Sequence, residues 1–385
     1  MSYNIIYFDN NSTTQTDPRV VEEMLPYFTE HYGNPSSVRN KYGFEASAAV
    51  NLATRRIRDT IGNQSAKIIY TSGATESINM ALTGTITATG IRRIITSPSE
   101  HSAVLDTCRY LESLGVEIEY LSIDSLGMLN YSELEEKLAD KRPSLVTLMG
   151  ANNEIGVTHD LLRIRELCTF HKAVFHSDCT QLYGKTSDFN LFSLPDLVSL
   201  SAHKFYGPKG IGSLFINSKS IKIEPLLRGG WQQDGLRAGT LPVPLIVGIG
   251  KACEIALTER VFDMAVYHVC RNELMEVVKK CPEVKLNGSP DHRIPNNLNF
   301  LIEGIDSDTL ITELKDFALS SAAACKSSSG KTSHVLKSIG LTPEQIKSCV
   351  RIGIGRFNTT SEAVKLRKQL TAKIKELRKK KSDGK

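Results

Sequence analysis

The chain of 385 residues is 41% hydrophobic and 23% charged, a balance that fits one large globular domain plus a smaller one and excludes extensive disorder. Its formal net charge of +5 is concentrated at one end: residues 366–385 hold nine Lys/Arg against two Asp/Glu, which leaves −2 for the other 365 residues and argues against a body built around a nucleic-acid groove. The opening MSYNIIYFDNNSTT has no basic stretch followed by an apolar one, and the longest apolar run, LPVPLIVGIG, is too short to span a bilayer. A cytoplasmic protein without membrane contact is expected, its eight cysteines reduced because none forms a C-x-x-C pair.

In chain order, the segments AKIIYTSG, RRIITSP, VEIEYLSI, SLVTLMG, AVFHSDC, LVSLSAHK and IGSLFIN read as strands, and helical patterns such as ESINMALTGTITATG and YSELEEKLADK lie between them. That alternation predicts an α/β fold with a mostly parallel seven-stranded sheet covered by helices. A long helical region over 243–280 leads into a second set, NNLNFLIEG, SDTLITELKD and VRIGIGRF, so a smaller α/β domain is expected. We place the large domain at 15–255 and the small one at 1–14 with 256–385. Leu366, Leu370, Ile374 and Leu377 recur at helical spacing, which predicts a terminal helix docked by that stripe with a solvated lysine end.

In such sheets ligand groups gather at the carboxyl ends of the strands, and here polar residues stand where the apolar runs stop. Lys204, in SLSAHKFYGPKGIG, follows a strand and precedes a Tyr-Gly-Pro turn, where a partly desolvated amine is able to form a Schiff base. Asp178, with Gln181 three residues on, suits the protonated ring nitrogen of a pyridine cofactor. Thr75 lies in the first turn of a helix after Gly73, an anion site fit for a phosphate. His101, at another strand end, offers a flat imidazole that can stack on an aromatic ring. Taken singly, Asp178 and Thr75 are better read as helix caps and His101 as a satisfied core histidine; their joint occurrence favours the cofactor.

Together HSDCTQ, SAHKFYGPKGIG, NNEIG at 152–156, YGNPSS at 32–37 and YFDNNSTT resemble the group I cysteine desulfurases of the NifS/IscS kind, from about residue 6 to about residue 360. The resemblance implies an enzyme of the fold-type I aminotransferase superfamily that uses pyridoxal 5′-phosphate (PLP), asks for no metal and works as a homodimer. It assigns Lys204 as the Schiff-base lysine, Asp178 as the pyridinium partner and His101 as the stacked histidine. Gln181 and Asn153 match residues near the phenolic oxygen. Ala74, Thr75, Ser201 and His203 fall at the phosphate, and Thr240 matches a residue supplied by the second subunit. Arg351 matches the arginine that pairs with the substrate carboxylate, a task suited to its planar fork.

Cys325, in SSAAACKSSSGKTSHVL, falls where the family carries its sulfur-accepting thiol. The implied reaction converts L-cysteine to L-alanine and leaves a persulfide on Cys325 for a sulfur-acceptor protein serving iron–sulfur assembly, tRNA thiolation or DNA phosphorothioation. Nucleic acid would then be touched only indirectly. A selenocysteine lyase or an aminotransferase on the same scaffold is the alternative, and a thiol at position 325 is what transamination does not need. Three features depart from the family pattern. Trp231 and Gln233 stand where glycine and glutamate are expected, Ala322–Ala324 replace a Ser-Gly-Ser-Ala type run, and the C-terminus is a lysine-rich helix without the aromatic/His tail of scaffold-docking members.

Overall fold

A computed structural model describes residues 5–321 and 332–383. Among them the strands are β1 (Ile6–Tyr7), β2 (Lys67–Thr71), β3 (Arg93–Thr96), β4 (Glu117–Tyr120), β5 (Leu145–Thr147), β6 (Val174–Asp178), β7 (Leu197–Ser201), β8 (Gly212–Ile216), β9 (Val284–Leu286), β10 (Asn297–Ile302), β11 (Phe317–Ala318), β12 (Ser320–Ser321) and β13 (Cys349–Gly353). The seven from β2 to β8 form one sheet in the order β2-β8-β7-β6-β5-β3-β4. Adjacent strands from β7 through β4 are parallel, and β8 runs antiparallel to both β2 and β7. All seven expected segments supply strands of this sheet.

The central strands β5, β7 and β8 are buried along their whole length, which is why they read as unbroken apolar runs. The edge strand β4 alternates instead, and its Glu119 joins Arg93 of β3 and Lys137. Crossover helices, including Ala74–Thr89, Ser102–Ser113 and Leu161–Phe170, pack the sheet. Gly212 marks a tight approach: a Cβ there would lie 2.4 Å from the Leu200 carbonyl oxygen and 2.7 Å from the Gly73 Cα.

The opposite edge of the sheet, β2, is closed by a side chain. Gln233 Oε1 accepts from the Tyr70 N–H at 2.7 Å, and Gln233 Nε2 donates to the Tyr70 carbonyl at 2.9 Å, so one amide takes the place of a neighbouring strand. Gln233 and Asp234 both have left-handed backbone (φ 53° and 57°), and Asp234 pairs with Lys67 of the same strand at 2.8 Å.

The helical region over 243–280 is two helices, Val243–Thr258 and Arg260–Lys280, parted at Glu259 (φ −98°, ψ 4°), whose carboxylate pairs with Arg19. Beyond it β12, β13, β10 and β9 form an antiparallel sheet, and β1 pairs in parallel with β11. A second core gathers Phe8 with Tyr267, Phe300, Ile352, Leu366, Leu370 and Ile374. The last three come from the helix Thr360–Asp383, which docks by the expected stripe. No helix among the described residues is long and apolar enough to cross a membrane.

Candidate active site

A cavity of about 500 Å³ opens at the carboxyl ends of the main sheet's strands, lined among others by Thr75, His101, Asn153, Asp178, Ser201 and Lys204. Ala74, Gln181 and His203 also line it, so nine of the sequence-predicted residues meet in one place. The order of the sheet produces this: β6 ends at Asp178, β7 ends at Ser201, and the chain after β2 turns at Gly73 into the helix Ala74–Thr89.

Lys204 closes a short 3₁₀ turn, Ala202–Lys204, directly after β7. Its Nζ donates to the carbonyls of Asn11 at 2.9 Å and Ser12 at 2.5 Å. Asn11 also accepts from Gln181 Nε2 at 2.9 Å and donates to Gln181 Oε1 at 3.2 Å, so one residue of the N-terminal segment links the lysine to the glutamine. Sequence reasoning gave Asn11 no role, although it lies inside the quoted YFDNNSTT.

Asp178 is 7% exposed, and its Oδ1 accepts from the Thr180 N–H at 3.0 Å. His101 caps the helix Ser102–Ser113, its Nδ1 accepting from the Ala103 N–H at 3.1 Å, which leaves the proton of the neutral ring on Nε2. The ring is open to the cavity, yet protein packed around it lowers its pKa by desolvation, and the Lys204 charge pushes the same way while Asp178 opposes. His203 binds Thr13 Oγ1 through Nδ1 at 3.0 Å, and burial, aided by the charges of Lys204 and Lys209, takes its pKa down to about 4. Both imidazoles are therefore neutral near pH 7.

Asn153 belongs to a turn shaped by its neighbour, because Asn152 Oδ1 accepts from the N–H groups of Glu154 and Ile155 at 2.8 and 3.0 Å. Gly156 closes that turn with φ 75°, and a Cβ there would meet Asn297 Oδ1 at 2.7 Å. The Asn153 carbonyl accepts from Arg351 Nη1 at 3.2 Å. Arg351 itself does not line the cavity. It is 4% exposed, and its Nη2 is shared among Asp9 Oδ1 (2.9 Å), Ser12 Oγ (2.6 Å) and Ser320 Oγ (3.1 Å). Its Nε has no hydrogen-bond partner among the described residues. Thr240 is exposed and stands apart from the cavity lining.

Cys325 lies outside the described residues. The described residues on either side of it anchor beside the site: Ser320 donates to Asp9 at 2.8 Å, Ser333 to the Glu154 carboxylate, and His334 Nε2 contacts the Glu100 carbonyl at 2.8 Å. The seven described cysteines are all buried free thiols. Burial pushes them up, Cys179, Cys253 and Cys349 to about 12, so none is an easily ionised nucleophile.

These residues fit the cofactor that the sequence suggested. The first turn of Ala74–Thr89 presents N–H groups without intrahelical partners, beside Ser201 and His203, as a phosphate needs. A buried carboxylate, a neutral imidazole and an amine complete the donor set around a space of the right size.

Residues 6–366 match the aminotransferase class-V family. The chain is 44% identical over 379 residues to the cysteine desulfurase IscS of Rickettsia akari (strain Hartford), covering 97% of this chain and 92% of that one. Among solved structures it is similar to a NifS-like protein (TM-score 0.86, 34% identity, 96% of this chain and 98% of that one). It is also similar to SspA in complex with cysteine (TM-score 0.77, 31% identity, 92% and 100% of the two chains).

Proposed function

The chain belongs to the class-V aminotransferase family and, within it, to the cysteine desulfurases, and from that premise we propose that it takes the sulfur of L-cysteine onto Cys325 and releases L-alanine, in the cytoplasm and as a homodimer. The observation that carries the reading is the convergence of Lys204, Asp178 and His101 on one cavity beside a helix N-terminus. PLP, once bound, supplies an electron sink for charge developing at the substrate Cα.

This chain's residues do the rest. Lys204 would hold the cofactor covalently and, once freed as an amine, would carry the proton that leaves Cα. Asp178 would keep the pyridine nitrogen charged, and His101, with Nε2–H available to substrate, would lie against the ring. Ala74, Thr75, Ser201 and His203 would hold the phosphate, and Gln181 and Asn153 would stand near the phenolic oxygen. Arg351, with its spare Nε donor, receives the substrate carboxylate next to Asn153. The Cys325 thiolate attacks the substrate sulfur; the S–S bond forms as the C–S bond breaks, and the electron pair stays with the carbon fragment that becomes alanine.

Support for the dimer comes from apolar side chains left in solvent, among them Phe28 (56% exposed), Tyr32 (65%), Phe44 (61%) and Trp231 (88%), and from Thr240, which is free to complete a partner's site. Support for a large unit at 15–255 and a small unit of 1–14 with 256–385 comes from Phe8 and β1, which pack with the C-terminal elements. A separate sulfur-acceptor protein is the expected destination of the persulfide.

The test is to incubate the protein with L-cysteine and map added sulfur by mass spectrometry. One extra sulfur on the Cys325 peptide is expected, with none on Cys179 or Cys349. Cys325→Ser should retain the Schiff-base colour and form no persulfide, and Lys204→Ala should lose both. Sulfur found on a different cysteine, or normal sulfur transfer by Cys325→Ser, would overturn the reading.

A further inference from the structure

Lys185 is a buried cation that the reaction above does not use. It sits at the end of the turn that follows β6 and is 2% exposed. The only hydrogen bond of its side chain among the described residues runs from Nζ to the carbonyl oxygen of Lys204, at 3.1 Å. The same Nζ stands 4.8 Å from the centre of the Tyr206 ring and 5.5 Å from that of Tyr267. A buried ammonium with one hydrogen bond and two aromatic faces is expensive to keep. The groups around it offset little of that cost. Asp263, on the helix Arg260–Lys280, is the nearby anion, but its carboxylate is already engaged by Arg356 Nε at 3.1 Å and Nη2 at 2.6 Å.

A second observation lies two residues past Lys204. Tyr206 has φ 67°, a conformation that a bulky aromatic residue holds only when its surroundings force it. Those surroundings are visible. Its N–H donates to Thr14 Oγ1 at 2.8 Å, its hydroxyl meets Tyr267 at 3.0 Å and accepts from the Arg356 N–H at 2.6 Å, and its ring carries Lys185 and Arg356. The turn that aims Lys204 is strained at Tyr206, and Lys185 grips both ends of it.

Resting on the assignment of Lys204 as the cofactor lysine, we propose that Lys185 is a positioning residue for it: the Lys185 ammonium pins the Lys204 carbonyl from inside the core and sets a positive charge behind its amine. Burial brings the Lys185 pKa down to about 7; Asp263 opposes this, and Arg356 and Lys204 add to it. The charge is therefore present below neutrality and lost above it, and while present it favours the neutral form of the Lys204 nitrogen.

The test uses the PLP-loaded enzyme and reads its Schiff-base absorbance from acid to alkaline pH, together with the rate of cofactor release. Lys185→Met removes charge and donor at similar volume, and a buried ion replaced by an apolar side chain of its own size is commonly tolerated. The titration midpoint should rise by about half a pH unit or more, with faster release. Lys185→Arg keeps a cation and should lie close to wild type. If Lys185→Met does not fold, Lys185→Gln, a donor without charge, should still raise the midpoint. Midpoints equal to wild type in the neutral variants would reduce Lys185 to core filling and overturn the proposal. Absence of the absorbance in the wild-type enzyme would instead overturn the cofactor assignment itself.

Discussion

Asp178 and Arg351 are both buried side chains, but their surroundings ask different things of them. Asp178 presents its carboxylate to the cavity after spending one oxygen on the Thr180 N–H. Asp178→Ala should leave phosphate anchoring intact and still admit the cofactor, while turnover of L-cysteine falls by about a hundredfold or more, since a preorganised charge partner is lost. Stopped-flow absorbance separates binding from turnover, and undiminished turnover would remove Asp178 from that role. Arg351 is held by Asp9, Ser12 and Ser320 and has Nε to spare. Arg351→Ala should raise KM for L-cysteine by an amount worth about 2–5 kcal/mol. Arg351→Lys should recover part of that, because a single ammonium can keep Asp9 but cannot offer the fork. A KM unchanged in the alanine variant would place the substrate carboxylate elsewhere.

At the level of elements, the site exists because several chain segments approach one another without side chains in the way. Gly212 of β8 passes between Leu200 and Gly73, the residue that opens the phosphate turn. Gly212→Ala should force those backbones apart, cost about 1–3 kcal/mol of stability in urea unfolding, and weaken cofactor affinity more than an exposed substitution of equal cost. Retention of wild-type PLP affinity would show that the turn absorbs the methyl group. The same scale explains what the sequence did and did not disclose. Most of the seven strands were legible because strands buried on both faces are largely apolar runs, and Lys204, Asp178 and His101 were legible because each follows the end of such a run. Asn11 and Asp9 were not, since their roles come from pairings with Gln181 and Arg351 that are 170 and 342 residues away along the chain. The break at Glu259 was equally hidden: no glycine or proline marks it, and its partner Arg19 is 240 residues distant. Nothing in the sequence singles out Lys185, and only the tertiary structure shows it under Lys204.

For the whole molecule, a loss of stability in acid follows from histidines that the fold keeps neutral. His176 lies on β6 between Thr147 Oγ1 at 2.8 Å and Ser199 Oγ at 2.9 Å, and burial takes its pKa down to about 3. Burial holds His159 at about 4. Each has a folded value below its unfolded value near 6.5, so the unfolded chain binds more protons as pH falls. Stability is full above about pH 6.5 and declines by about 1.4 kcal/mol per pH unit per histidine until the folded value is reached. Glu100 works the other way, because burial raises its pKa well above the usual carboxylate value and acidification relieves the cost of ionising it. His176→Asn should therefore flatten the pH dependence of unfolding between about pH 6.5 and 4 by one proton relative to wild type. Parallel curves for the two proteins would show that His176 is already protonated in the fold.

The clip that Gln233 places on Tyr70 also bears on how copies of this protein meet. A bare edge strand invites another chain to add on by main-chain pairing, which is the route to open-ended stacks and fibrils. Here the N–H and carbonyl of Tyr70 are already taken by one side-chain amide, and Asp234 fastens Lys67 just before them. A carboxylate at position 233 could accept from the N–H but would have nothing to donate to the carbonyl. Crowded molecules therefore cannot recruit one another by main-chain pairing at Tyr70, and contacts at that point of β2 are left to side chains.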